Sequence, residues 1–285
     1  MPHASPPSIL VFSDLDGTVL DHQTYDWAAA RPGLDHLRAI GAGLVLASSK
    51  TAAEMEPIRL AMGWSDWPAI VENGSGTIPP DTASDALATG ESRGSVYADL
   101  LSRLKQAPRG FIGFSDMSVQ EVADATGLAL GEAALARQRQ FSEPGLWTGP
   151  AAGLTEFLAA LKPLGLTARR GGRFLTISVV GAHGGTKADA MAKIVAHYGP
   201  KMTIALGDAP NDIEMLEAAD YGIIITNPHG PTIKPLEGER SGRIRRSLKP
   251  GPAGWSEAII KLTSVASQTQ LPEHGKGGVN LAGRA

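Results

Sequence analysis

The chain has 285 residues, 42% of them hydrophobic and 19% charged, an ordinary globular balance that suits one large domain or two modest ones. Lys and Arg number 26 against 29 Asp and Glu, for a formal net charge of -3; with no long basic run, nothing there suggests a nucleic-acid binder. Cysteine is absent, so disulfides, thiolate catalysis and cysteine zinc sites are excluded.

The opening MPHASPPSIL has no basic end followed by an apolar stretch, and no segment approaches the ~20 apolar residues of a membrane span. A cytoplasmic protein without a membrane partner is expected. Ile9 to Phe12 is a continuous apolar run, which suits a strand buried on both faces, as in a parallel sheet. A helix is expected over Ala28 to Ile40, ended by Gly41 and Gly43. LVLASSK reads as a second strand, TAAEMEPIRLAMG as a helix closed by Gly63, and WPAIVENG as a third strand. Strand and helix alternate, which predicts α/β architecture with right-handed crossovers.

The rhythm breaks near Thr77. Short helical patterns follow, including SVQEVADATG with a capping box at Ser118 and Glu121, then LGEAALARQRQ, and a strand at FLTISVV. The alternation resumes with a helix from Lys187 to Tyr198, the strand MTIALGD, a helix through NDIEMLEAAD, the strand YGIIIT and a helix near Trp255 to Val265. Arg240, Arg243, Arg245 and Arg246 read as a solvated loop. The expected fold is a Rossmann-like doubly wound parallel sheet with an inserted α+β domain. The core takes residues 8–80 and 180–266, the insertion 81–179, and a polar, Gly-rich tail 267–285 is expected to be loose.

The chemistry-bearing residues sit at strand ends. Asp14 and Asp16, two apart at the end of the first strand, lie on one side of the chain, and Gly17 permits a sharp turn. Asp208 ends another apolar strand, and Asn211 and Asp212 open the next helix, where N-capping is the plain alternative. Open parallel sheets place ligands beyond the carboxyl ends of their strands. Acids on two such ends suit a hard divalent cation, Mg2+ above all, with substrate phosphate completing its shell. Ser48 and the N–H of Ser49 end the second strand, and Lys187 opens a helix after a glycine-rich stretch. Taken singly these are a turn residue and a surface lysine. Together with the acids they make a phosphate site. Asn73 closes the third strand and either edges the crevice or caps the turn before Gly74.

The ordered set DLDGT, SSK, Lys187 and GDAPND resembles the four motifs of the haloacid dehalogenase superfamily of phosphohydrolases, and the insertion is similar to its type IIB cap. DLDGTVLDHQTYDW, SSKTAAEMEPIR, IVENGSGTI, EVADATGL, QFSEPGLW and GGRF resemble mannosyl-3-phosphoglycerate phosphatases over about residues 8 to 226. Ala188 and Ala209 depart from the usual motif residues, but neither reaches a reacting group. The resemblance implies a Mg2+-dependent phosphatase with Asp14 as nucleophile and Asp16 as acid/base. Asp14, Asp16 (through its carbonyl), Asp208 and Asp212 would form the metal set, with Asp212 either holding a metal-bound water or positioning Lys187. Ser48 and Lys187 would stabilise the phosphoryl oxygens. The implied partner is a small phosphorylated sugar-glycerate. Ser49, Lys50, Asn73, Asn211 and the cap residues Arg139, Ser142 and Arg173 are its candidate binders, with Arg173 expected on the glycerate carboxylate. Glucosyl-3-phosphoglycerate, sucrose phosphate and a phosphomutase reaction are the alternatives. Oligomeric state is not legible in the sequence.

Overall fold

The structure, a computed structural model, describes residues 6–81, 93–181 and 185–268. In chain order the elements begin with β1 (Ile9–Ser13), α1 (Arg31–Ala39), β2 (Gly43–Ala47), α2 (Ala52–Met62), β3 (Ala69–Val71) and β4 (Gly76–Ile78). Then come α3 (Arg93–Leu104), β5 (Phe111–Gly113), α4 (Val119–Thr126), α5 (Leu130–Ala136), β6 (Ser142–Trp147), α6 (Ala151–Leu161), β7 (Leu166–Gly171) and β8 (Phe174–Val179). The chain closes with α7 (Lys187–Tyr198), β9 (Met202–Gly207), α8 (Ile213–Ala218), β10 (Tyr221–Thr226), α9 (Glu237–Arg240), β11 (Ile244–Pro250) and α10 (Gly251–Gln268).

Among the described residues the strands form two sheets. The larger has seven strands in the order β11-β10-β9-β1-β2-β3-β4, all parallel except β4, which returns antiparallel to β3. β2 is buried at every position, so helices cover both faces of the sheet, and the unbroken apolar runs follow from that. Connections step from β1 outward through β2 and β3, then begin again at β9 on the other side of β1. The crossover reverses between β1 and β9, and that is where an open sheet parts to receive a ligand. The smaller sheet, order β5-β6-β8-β7, is antiparallel and packs its own apolar cluster around Leu100, Phe157, Leu161 and Ile177.

The helix boundaries follow local chemistry. Thr51 and Glu54 form a capping box at the start of α2, and Gly63 ends it in the left-handed conformation. Ser118 and Glu121 do the same for α4, and Thr186 with Asp189 for α7. The helix expected through Gln140 stops at Ala136, and residues 137–141 leave it to reach the main sheet. The basic run read as a solvated loop is a correction: it spans α9 and the edge strand β11. Arg243 donates to the Glu217 and Ala219 carbonyls at 2.9 and 2.8 Å, and Arg246 holds Glu239. The closing helix is longer than expected and starts at Gly251. From residue 269 the expected tail lies outside the described residues.

Candidate active site

β1 and β9 run side by side in register, Ser13 opposite Leu206, so the residues just past their ends are neighbours. Asp14 continues the pairing by donating its N–H to the Leu206 carbonyl at 2.9 Å. Its own carbonyl accepts from the Ser13 hydroxyl, and that hydroxyl accepts from the Trp255 indole at 2.9 Å. The strand end is thus fixed from both sides before any side chain of the site is placed.

Carboxylate oxygens of Asp14, Asp208 and Asp212, all buried, lie within 4.8 Å of one another. Lys187, also buried, reaches in from the start of α7 and donates to Asp14 Oδ1 at 2.5 Å and Asp212 Oδ1 at 2.7 Å. The other Asp212 oxygen accepts from the backbone N–H groups of Asp208 and Ala209 at 3.1 and 3.0 Å. Asp212 thus bonds Lys187 and ties down the loop carrying Asp208, and its carboxylate also belongs to the acidic group that could hold a metal ion. Burial pushes the Asp14 carboxyl well above its ordinary range. Lys187 pulls it down, and Asp212, Asp208 and Asp16 push it further up. Burial works against the Lys187 charge, but Asp14 and Asp212 outweigh it and hold the ammonium above its ordinary value.

Three buried carboxylates against one ammonium leave a negative excess in a dry place, an expensive arrangement unless a cation joins it. An all-oxygen donor set is what Mg2+ takes. Asp16 Oδ1 adds a buried oxygen without a partner. The residues fit the metal, with Asp14 and Asp208 as the side chains that would hold it.

Two residues that sequence reading missed secure Asp208. Thr18 donates to one of its oxygens at 2.7 Å and Asn227 to the other at 2.6 Å. Gly17 makes this possible. Its φ is +79°, and a Cβ there would sit 2.5 Å from the Asn227 amide and 2.8 Å from Asp208. Asn227 just follows β10, another buried strand, so the rule that flagged Asp14 and Asp208 had a signal for it as well.

Asp16 is partly exposed and pairs with Lys50 at 3.1 Å, and the Lys50 ammonium lies over the Tyr25 ring. Ser48 is buried, and its Oγ accepts from the Lys50 N–H at 3.2 Å. Asn73 and Asn211 hydrogen-bond to each other at 3.0 Å across the rim. A cavity of about 750 Å3 opens above these groups, between the two sheets. Lys50, Arg139, Arg169 and Arg170 line it beside Asp16, Glu54, Glu72 and Glu214, and Lys50, Arg139 and Arg169 pair with Asp16, Glu72 and Glu214.

Two of the expected binders are not brought to the cavity. Arg173 turns away from it, with its guanidinium on the Ala125 carbonyl and over the Phe174 ring. The neighbouring Arg169 and Arg170, inside β7, line the cavity instead. Ser142 is fully buried, and its hydroxyl is occupied by Glu72 and Arg139. A run with two glycines drew attention to Arg173, and Gly171 and Gly172 of the β7–β8 hairpin do line the cavity, but the Arg173 side chain leaves it for Ala125.

Residues 166–234 match the family model of the haloacid dehalogenase-like hydrolases. Solved structures share the fold across nearly the whole chain. The sucrose-phosphatase of Synechocystis sp. PCC6803, determined with sucrose and phosphate, is 16% identical, covers 90% of this chain and 98% of its own, and has a TM-score of 0.59. A phosphatase of the haloalkanoate superfamily from Bacteroides thetaiotaomicron is 19% identical, with 93% and 97% coverage and a TM-score of 0.60. A subclass IIB sugar phosphatase is 16% identical, with 89% and 98% coverage and a TM-score of 0.56.

Proposed function

We propose that this chain is a Mg2+-dependent phosphatase of the haloacid dehalogenase type, with the four-stranded unit as the cap that selects a phosphorylated sugar. The observation that carries the reading is the meeting of Asp14, Asp208, Asp212 and Lys187 at the point where the parallel sheet parts.

In this reading an Asp14 oxygen attacks phosphorus and the ester P–O bond breaks, giving an aspartyl-phosphate. Lys187, on Asp14 Oδ1, fixes the plane of the attacking carboxylate. Asp16 gives a proton to the departing alkoxide and later removes one from the water that attacks the aspartyl-phosphate, which releases phosphate and regenerates Asp14. Ser48 donates to a phosphoryl oxygen as negative charge spreads there. The metal, when bound, neutralises charge on the phosphoryl group and orients it.

Mannosyl-3-phosphoglycerate is the preferred substrate. The subfamily strings around both active aspartates and in the cap support it, and the cavity holds cationic side chains, Arg170 among them, that suit a carboxylate beside the phosphate. With Arg173 turned away, Lys50, Arg169 and Arg170 are the candidates for that carboxylate. Sucrose phosphate is the second reading, because a sucrose-phosphatase shares the fold over nearly its whole length. Phosphate release from mannosyl-3-phosphoglycerate, glucosyl-3-phosphoglycerate and sucrose phosphate, each with Mg2+, separates the readings. The first is expected to give the highest kcat/KM. Release from none of the three would overturn the assignment.

A further inference from the structure

Arg139 was expected to touch the substrate, but its bonds lead elsewhere. Its Nη1 donates to the Ser49 carbonyl at 3.2 Å. The N–H of that same peptide unit, on Lys50, donates to Ser48 Oγ at 3.2 Å. A serine hydroxyl that accepts from an N–H keeps its own proton for another acceptor. In this buried serine the hydroxyl donates to no acceptor among the described residues, so its proton is left for a ligand such as a phosphate oxygen. One peptide group thus joins a cap arginine to the phosphate-binding hydroxyl.

Arg139 is itself held by Glu72, which follows β3. Its Nε lies 3.3 Å from Glu72 Oε2, and its Nη2 donates to Ser142 Oγ at 2.9 Å. Ser142 Oγ in turn donates to Glu72 at 2.7 Å. Glu72 also collects the backbone N–H groups of Gln140, Phe141 and Ser142 at 2.8, 3.2 and 2.8 Å. Three successive amides closing on one carboxylate form an anion cradle with the anion built in. Glu72 does this from a left-handed backbone, φ 51°, which a residue with a side chain adopts at a cost and keeps only when its surroundings hold it there. Its own N–H donates to the Lys50 carbonyl at 2.9 Å, so one residue grips both the cap loop and the phosphate loop. Phe141 completes the joint by burying its ring in the core of the main sheet.

We propose that Arg139 and Glu72 are positioning residues that make the direction of the Ser48 proton depend on the cap being docked. The proposal rests on the phosphatase reading and gives it a consequence. Phosphate binding should respond to the cap even when the ester carries nothing for the cap to touch.

The test is a double-mutant cycle with Ser48. Arg139→Met, Arg139→Lys and Glu72→Gln are made alone and on a Ser48→Ala background. Two quantities are read with Mg2+ present: kcat and KM on p-nitrophenyl phosphate, and the affinity for inorganic phosphate by calorimetry. Arg139→Met should lower both kcat/KM and phosphate affinity by about 10-fold, the scale of one hydrogen bond. Arg139→Lys, which still donates to Ser49, should recover most of the loss, and Glu72→Gln should follow Arg139→Met. On Ser48→Ala, none should change either quantity by more than about twofold. If Glu72→Gln does not fold, Ser142→Ala removes the hydroxyl bridge between Arg139 and Glu72 while leaving their direct pair, and a smaller loss of the same kind is expected. Unchanged values for Arg139→Met would make Arg139 a substrate contact only and overturn the proposal, as would equal losses with and without Ser48. A wild type without turnover would sink the phosphatase reading while the phosphate-affinity cycle still decides this one. A wild type that binds no phosphate sinks both.

Discussion

At the scale of single residues, Asp14 carries the heaviest expectation. It is buried, crowded by three other acids and bonded to one lysine. Asp14→Asn keeps the shape and removes the attacking charge, so phosphate release should fall by about 1,000-fold or more. The fold should survive, because the change lowers the negative excess while Lys187 keeps Asp212. Turnover assays beside circular dichroism check both halves; retention of a few per cent of activity would remove Asp14 from the nucleophile's role. Thr18 and Asn227 act one step further out. They orient Asp208 and touch nothing that reacts. Partners of metal-ligating carboxylates typically control affinity by about 10- to 100-fold. Thr18→Val should therefore raise the Mg2+ concentration for half-maximal activity by that factor and leave kcat at saturating Mg2+ within a few-fold. A metal titration of activity reads it, and an unchanged half-saturation would mean Asp208 does not hold the ion.

At the scale of elements, the turn between β3 and β4 matters more than its length suggests. Gly74 has φ +99°, and a Cβ there would lie 2.1 Å from the Thr186 carbonyl, at the N-cap of α7. The turn is the seat on which the helix carrying Lys187 rests. Gly74→Ala should cost about 2–4 kcal/mol, or roughly 3–7 °C in Tm for a chain of this size. Activity should fall further than the lost stability explains, since Lys187 moves with the helix start. Calorimetry and turnover at a temperature well below the transition separate the two.

A pH effect belongs to the cap. Glu143 on β6 is fully buried, taking the Tyr97 hydroxyl on one oxygen and the Ser115 N–H and hydroxyl on the other. Burial raises its carboxyl above the ordinary 4.5, although Tyr97, Ser115 and Arg139 oppose the rise. The folded chain thus holds this proton more tightly than the unfolded chain. The resulting stability is present in full below about pH 4.5 and is lost as pH rises through the folded value. Glu143→Gln removes the titration. The difference in Tm between variant and wild type should therefore move in the variant's favour from about pH 4 to about pH 7. A flat difference would show that burial does not raise this carboxyl.

For the whole molecule, the decisive quantity is charge at the seam between β1 and β9. EDTA should abolish phosphate release and Mg2+ should restore it. Ca2+ should compete for the site yet support little turnover, because its larger and looser oxygen shell holds the reacting groups less strictly. Full activity in EDTA would refute the metal reading outright. No described helix is long and apolar enough to cross a membrane.

The sequence alone determined whatever depends on local pattern. Unbroken apolar runs at β1, β2, β9 and β10 marked strands covered on both faces, and the acids at their ends marked the crevice, because a parallel sheet presents all its carboxyl ends on one edge. Capping boxes at Ser118 and at the start of α7 were written in residues three apart. Strands β5, β6 and β11 left no such mark. In β11, at a sheet edge, only Ile244 and Ser247 are buried, and β6 carries Glu143, Pro144 and Gly145, which in isolation suggest a loop. Only the tertiary structure decided which polar side chains meet. Arg169 and Arg170 line the cavity while Arg173 does not, because its guanidinium is taken by the Ala125 carbonyl and lies over the Phe174 ring. Glu72 grips a loop that begins 65 or more residues later, at Arg137. Thr18 and Asp208 bond across 190 residues. A periodic pattern records one element's own buried face, but such pairings are set by how two elements pack, and no short stretch of sequence contains both.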